Sequence, residues 1–369
     1  MMKKSNLRGM HSRKKPHTKP HVAISIGDIN GVGAEIALRE HSFIKTLCEP
    51  LYCVHKELMQ NAAQLLGVAF PNDMVFAPPK AKIPTIHIAK ISKKSGAYSF
   101  ESFITGLDLL DSAQAQAIIT LPIHKAAWKK AGIDFVGHTE VLSARYDKKA
   151  IMALGNQKML VGLFSDHIPL KKVSQKITAS AYEKFLLLLF QSLQCEKALV
   201  LGFNPHCGDN GAIGGKEDSV IKKAIQKVNA RLTQEAQKQK IQKTNAQKTR
   251  AKTAQEIFVG PYPPDTAFIP HLRNEFKVFV APYHDIGLAT LKALYFDSSI
   301  NISLNLPIIR TSVDHGVAYD LAYKGICNTQ SYKNAVCMAL ELIQKQAKNK
   351  ATKSNSKKEK NRHKKGIKK

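Results

Sequence analysis

Three features of the chain predict an α/β fold with a largely parallel sheet and helices on both faces. Short apolar strands alternate with helical stretches, glycine or proline turns follow those strands at once, and the apolar content is that of a globular protein. The chain has 369 residues, 44% of them hydrophobic and 23% charged, enough to bury a core and long enough for two to three domains.

Taken in order, residues 1–20 are rich in Lys, Arg, His and Pro without periodicity and read as a disordered basic N-terminus. Residues 22–26 form a buried strand, followed by the glycine turn 27–33 and a helix opening at Ala34. Strands are expected at 50–54, 74–76, 117–121, 198–202, 278–281 and 300–304, and 151–154 with 159–164 read as a pair. Helical spacing covers 100–116, 180–193 and 334–344. Residues 217–254 form a long helical stretch that becomes a Lys/Gln-rich insertion over 231–254. Residues 346–369 read as a disordered basic tail.

The formal charge is +28, but it is unevenly placed. Residues 1–21 hold seven Lys/Arg and no acid, 231–254 hold seven against Glu235, and 345–369 hold twelve against Glu359. The remaining body carries 30 basic against 26 acidic residues. That balance argues against a folded face built for nucleic acid. No run of eighteen apolar residues marks a membrane span, and the basic N-terminus lacks the apolar stretch of a secretory signal. Six cysteines without a CxxC pair read as reduced thiols, so a cytoplasmic location is expected.

Four clusters carry candidate chemistry because ligands bind outside the carboxyl ends of strands in open α/β sheets. The first joins Thr120 to Lys125 with Gly137, His138, Thr139 and Glu140, where backbone amides and a hydroxyl suit an anion; a plain helix cap is the alternative. The second is Asp166-His167 before Pro169, where the imidazole is a ligand or a structural residue of a stiff turn. The third is Asn204-Pro205-His206-Cys207-Gly208, with Cys207 a metal ligand or a small packing residue. The fourth sets Tyr283-His284-Asp285 before Lys292, with Asn301 and Arg310 flanking an apolar strand so that both reach one anion. Three imidazoles in strand-end turns suit a divalent metal with a position left for substrate. Lys292, Arg310, Asn301, His138 and Thr139 supply donors suited to a phosphate. The turn at Gly27, Gly31 and Gly33 matches neither a phosphate loop nor GxGxxG.

These motifs, in this order, resemble the 4-hydroxythreonine-4-phosphate dehydrogenases, enzymes of vitamin B6 biosynthesis. The resemblance rests on residues 27–35, 137–140, 166–170, 204–208, 263–266, 283–288 and 301–316. It departs from the family pattern at Ile29 and Ala34, where proline is usual, and at Leu121, where glycine is usual. The resemblance implies a two-domain isocitrate/isopropylmalate dehydrogenase-like fold with the active-site cleft between domains. Residues 21–130 with 305–345 make the first domain, and 131–304 make the second, which carries the dimer interface. It further implies a homodimer with a shared active site. His167, His206 and His284 hold zinc, magnesium or cobalt, His284 coming from the partner chain. Substrate contacts are His138, Thr139, Lys292, Asn301 and Arg310. NAD or NADP is the oxidant, with Asp314, His315 and Gly316 as its contacts, and Asp285, Asp265 or Lys292 is the general base. Rival readings are a dehydrogenase of another phosphorylated hydroxy acid, such as a threonate phosphate, and an RNA-binding protein acting through its basic tails.

Overall fold

The computed structural model describes residues 19–241 and 256–366. The first half runs β1 (His21–Ser25), α1 (Gly33–Leu47), β2 (Glu49–Cys53), α2 (Lys56–Leu66), β3 (Val75–Phe76), α3 (Lys93–Asp111), β4 (Ala117–Thr120), α4 (Lys125–Lys130) and α5 (His138–Tyr146). Next come β5 (Ile151–Gly155), β6 (Leu160–Leu163), α6 (Val173–Lys176), α7 (Ala179–Leu193), β7 (Ala198–Leu201), α8 (Glu217–Ile241) and β8 (Phe258–Tyr262). The chain closes with α9 (Pro270–Glu275), β9 (Val278–Ala281), α10 (His284–Tyr295), β10 (Ile300–Leu304), β11 (Arg310–Val313) and α11 (Gln330–Gly366).

The described strands form one mixed sheet in the order β3-β2-β1-β4-β11-β10-β5-β6-β9-β7-β8. The α/β expectation holds, and seven of the ten described strand pairings are parallel, as a largely parallel sheet requires. The pairs β11–β10, β10–β5 and β5–β6 at its centre are antiparallel. Strands from 21–130 and 305–345 occupy one end of the sheet and those from 131–304 the other; they meet at the β11–β10 pair.

Strand alternation sorts the core. Ile24, Ile119, Ala153, Ile302 and Val200 belong to one continuous core on one face, under α1, α7, α8 and α11. On the other face two cores stand apart. Ala23, Ile118, Phe103 and Trp128 make one beneath α3 and α4, while Leu154, Val161, Leu201, Phe279 and Leu291 make the second beneath α10. Between them, β10 and β11 turn Asn301, Ser303, Arg310 and Ser312 to this face, because their apolar neighbours Ile300, Ile302, Leu304 and Val313 belong to the continuous core. The gap between the two cores is therefore floored by polar side chains.

Strands β8 and β11 were not expected from sequence. β8 reads Phe-Val-Gly-Pro-Tyr, and its Pro261 is tolerated because β8 is the last strand in the order. β11 is Arg-Thr-Ser-Val, too polar to show a strand pattern. α11 runs to Gly366, beyond the expected end at 344 and into the stretch read as a disordered tail. No Gly or Pro interrupts that segment before Gly366, and its Lys, Ala and Gln are good helix formers. Most of the basic N-terminus, and the insertion beyond Ile241, lie outside the described residues.

Candidate active site

Strands β6, β9 and β7 are adjacent and parallel, so their carboxyl ends open at one edge. His167 follows Leu163 of β6, His284 follows Ala281 of β9, and His206 follows Leu201 of β7. The hydroxyl of Ser165 donates to the Pro282 carbonyl at 2.9 Å, and the Phe203 and Tyr283 rings meet edge-on at 5.8 Å, joining the three turns.

Within one chain the His167 and His284 ring centroids are 5.8 Å apart. Imidazoles bound to one tetrahedral ion through nitrogens at about 2 Å have centroids roughly 5 Å apart, so this pair suits a shared divalent ion. Nδ1 of His284 lies 2.7 Å from Asp285 Oδ1, a carboxylate contact that leaves Nε2 for a ligand. Among the described residues no group of three or more His, Cys, Asp and Glu converges to hold a metal, so His206 stands apart from the pair. The imidazole beside His167 is its own chain's His284, whereas the resemblance implies the partner's contribution at that position.

His206, Cys207, Gly208, Asp209 and Asn210 have φ between 43° and 79°, a left-handed turn built mostly from non-glycine residues. Each such residue costs about 1 kcal/mol, so the turn persists only because its ends are fixed. The Asp218 carboxylate accepts from the backbone N–H groups of Phe203 and Asn204 at 2.7 and 3.1 Å and from Asn204 Nδ2 at 2.8 Å. Cys207 Sγ fills the space over Gly202, where a Cβ would come within 2.5 Å. Burial, then the charges of Asp218 and Asp265, push this thiol up to about 11. Cys207 is thus a neutral packing residue, and Asp265 lies beside the turn, exposed and without a hydrogen-bond partner among the described residues.

The polar gap holds the second centre. Arg310 is 4% exposed, and its guanidinium bonds only to uncharged oxygens. Nη1 donates to Ser303 Oγ at 3.1 Å and Asn301 Oδ1 at 3.3 Å, and Nη2 donates to Thr120 Oγ1 at 2.8 Å. Nε has no partner. Burial lowers the group to about 9, still charged at neutral pH. His138, at the start of α5, packs edge-on against Phe103 at 4.6 Å and Trp128 at 5.7 Å. Burial first, and then the Arg310 charge, hold its imidazole well below the usual 6.5, so it is neutral, with Nε2 unpartnered. Thr139 follows in the first turn, and Glu140 reaches back to accept from the Val136 N–H at 2.6 Å. That bond ties the preceding loop to the first turn and does not use the Thr139 hydroxyl.

Lys292 Nζ forms an ion pair with the Asp314 carboxylate and lies 5.2 Å from the Phe296 ring centroid. Asp314 directly follows β11, with its N–H on Ser331 Oγ at 3.1 Å. His315 Nδ1 is 2.9 Å from the Gly316 carbonyl, Nε2 is unpartnered, and a Cβ added at Gly316 would meet nothing within 4 Å. Sequence placed Thr120 in the first candidate cluster without a role of its own and gave Ser303 none. Their signal is a hydroxyl in otherwise apolar buried strands, which is costly unless bonded.

The family model of the pyridoxal phosphate biosynthetic protein PdxA matches residues 46–339. A 4-hydroxythreonine-4-phosphate dehydrogenase of Campylobacter fetus subsp. fetus is 46% identical over 323 residues, covering 88% of this chain and 98% of the relative. One from Helicobacter pylori (strain J99) is 47% identical over 323 residues, covering 86% and 98%. A crystal structure of a 4-hydroxythreonine-4-phosphate dehydrogenase from Burkholderia phymatum is similar at 27% identity with a TM-score of 0.69, covering 88% of this chain and 98% of that one. On the extent of these matches, the chain belongs to the family of the pyridoxal phosphate biosynthetic protein PdxA.

Proposed function

We propose that the protein is a metal-dependent, NAD(P)-linked dehydrogenase of pyridoxine 5'-phosphate biosynthesis. It oxidises 4-phosphooxy-L-threonine to 2-amino-3-oxo-4-(phosphooxy)butanoate, which decarboxylates to 3-amino-2-oxopropyl phosphate. The observation that carries this reading is the buried Arg310 guanidinium, whose partners are all neutral and whose Nε is free. A charge left without a counterion in a polar gap suits the phosphate of a small substrate. Neutral His138 and Thr139 add donors at the same site, and Asn301 lies within reach of the guanidinium.

His167 and His284, with Asp285 orienting the latter, fit a divalent ion such as zinc, magnesium or cobalt. In this proposal His206 joins them as the third ligand, and a homodimer shares the active site. When bound, such an ion acidifies the substrate hydroxyl. Of the three candidate bases, Asp285 is engaged by His284 and Lys292 by Asp314, which leaves Asp265 to take the hydroxyl proton. NAD or NADP supplies the hydride acceptor, held by Asp314, His315 and Gly316. The phosphate at Arg310 fixes the far end of the substrate and so orients the reacting carbon.

The test is the formation of reduced nicotinamide from NAD or NADP with 4-phosphooxy-L-threonine and added metals. Phosphorylated threonate and unphosphorylated 4-hydroxythreonine are run beside it. Turnover of the phosphooxy amino acid, with little for the other two, is expected. Preference for the threonate would move the assignment to another phosphorylated hydroxy acid, and equal use of 4-hydroxythreonine would remove the phosphate anchor.

A further inference from the structure

Arg310 stands on β11, whose two neighbours are β4 and β10. Its guanidinium bonds to both of them: Thr120 ends β4, and Ser303 is the residue directly opposite Arg310 on β10. All the hydrogen bonds it makes go to hydroxyl or amide oxygens. Among the described residues it forms no ion pair, although Arg39 and Arg145 each bond to a carboxylate. A carboxylate at Thr120 or Ser303 would hold the same donors but cancel the charge and repel a dianion. Hydroxyls hold the donors and leave the charge.

We infer that Thr120 and Ser303 are positioning residues that fix the Arg310 guanidinium from both neighbouring strands through uncharged oxygens, reserving its full charge and its Nε–H for the phosphate of the substrate. This rests on the phosphate reading above and assigns the residues that make it selective. Rigid strands, not loops, hold the anchor, so its geometry is set before substrate arrives.

The experiment titrates inorganic phosphate into the full chain by calorimetry and measures KM and kcat for 4-phosphooxy-L-threonine. Thr120→Val, of nearly the same shape, is expected to weaken phosphate about tenfold and raise KM to match, with kcat within about twofold. Thr120→Ser restores both. Ser303→Ala acts in the same direction. Thr120→Asp gives the most direct reading, because it keeps an acceptor on Nη2 yet abolishes phosphate binding. The inference is overturned by any of three results: phosphate affinity in Thr120→Val within twofold of wild type, Thr120→Asp binding phosphate as well as wild type, or no phosphate binding by the wild-type chain. If the wild type binds phosphate but oxidises no phosphorylated hydroxy acid, the dehydrogenase reading fails while this inference stands. Normal turnover with an indifferent Thr120→Val sinks this inference alone.

Discussion

The two centres of the site are built by opposite means. Around Arg310 every anchor is a strand residue: Thr120, Asn301 and Ser303 come from the two strands paired to β11, and the guanidinium is buried with its bonds already made. At the imidazole edge every candidate ligand lies beyond a strand end. His167 and His284 approach one another, while His206 sits in a left-handed turn clamped by Asp218. The contrast teaches a division of labour. Under the proposed function, the sheet would grip the part of the substrate that does not react, and the turns would bring up the groups that act on the part that does. Binding energy from the remote phosphate then serves to orient the reacting carbon.

The contrast is broken most severely at the edge. His284→Ala should abolish metal-stimulated turnover, by about a thousandfold or more, while phosphate affinity stays near wild type, since the side-chain bonds that hold the Arg310 guanidinium come from Thr120, Asn301 and Ser303. Full activity of chelator-treated His284→Ala protein would remove the metal from the account. Arg310→Ala strikes the other centre. KM should rise by about a hundredfold with a smaller change in kcat, read from steady-state kinetics. An unchanged KM would mean that the guanidinium only ties strands together.

A smaller effect separates the centres by pH. His138 is half-buried, and loss of solvation with the Arg310 charge holds it below its usual value of 6.5, so the folded chain binds fewer protons at this residue than the unfolded chain does. Its contribution is therefore complete above pH 6.5 and is lost as pH falls below that, so stability declines on acidification. Urea unfolding at pH 7.5 and 5.5 should show a loss that His138→Gln reduces. An equal loss in the variant would place the titrating group elsewhere.

Much of this arrangement was legible in the sequence. Apolar strands ending in polar turns marked β1, β4, β6, β7 and β9, and the same turns displayed the three histidines. That Asn301 and Arg310 meet was legible because they flank an apolar strand. β11 was hidden, because a strand whose side chains face a polar gap carries too few apolar residues to be read. Thr120 opened the first candidate cluster, but its bond to Arg310, like that of Ser303, was hidden for a related reason. Thr120 meets Arg310 across 190 residues of chain, and Ser303 meets it seven residues away only because the unread strand β11 pairs antiparallel with β10. The pairing of Lys292 with Asp314, which joins a residue read as a substrate contact to one read as a cofactor contact, is likewise a product of the fold alone.

The central claim is that two independent centres hold one substrate, a metal at the histidines and an anion at Arg310. It is tested most directly by chelating the metal and measuring both functions on the same sample. The account predicts that oxidation of 4-phosphooxy-L-threonine is lost and returns with added divalent ion, while inorganic phosphate binds throughout with affinity within about twofold. Oxidation that survives chelation, or phosphate binding that disappears with the metal, would contradict it.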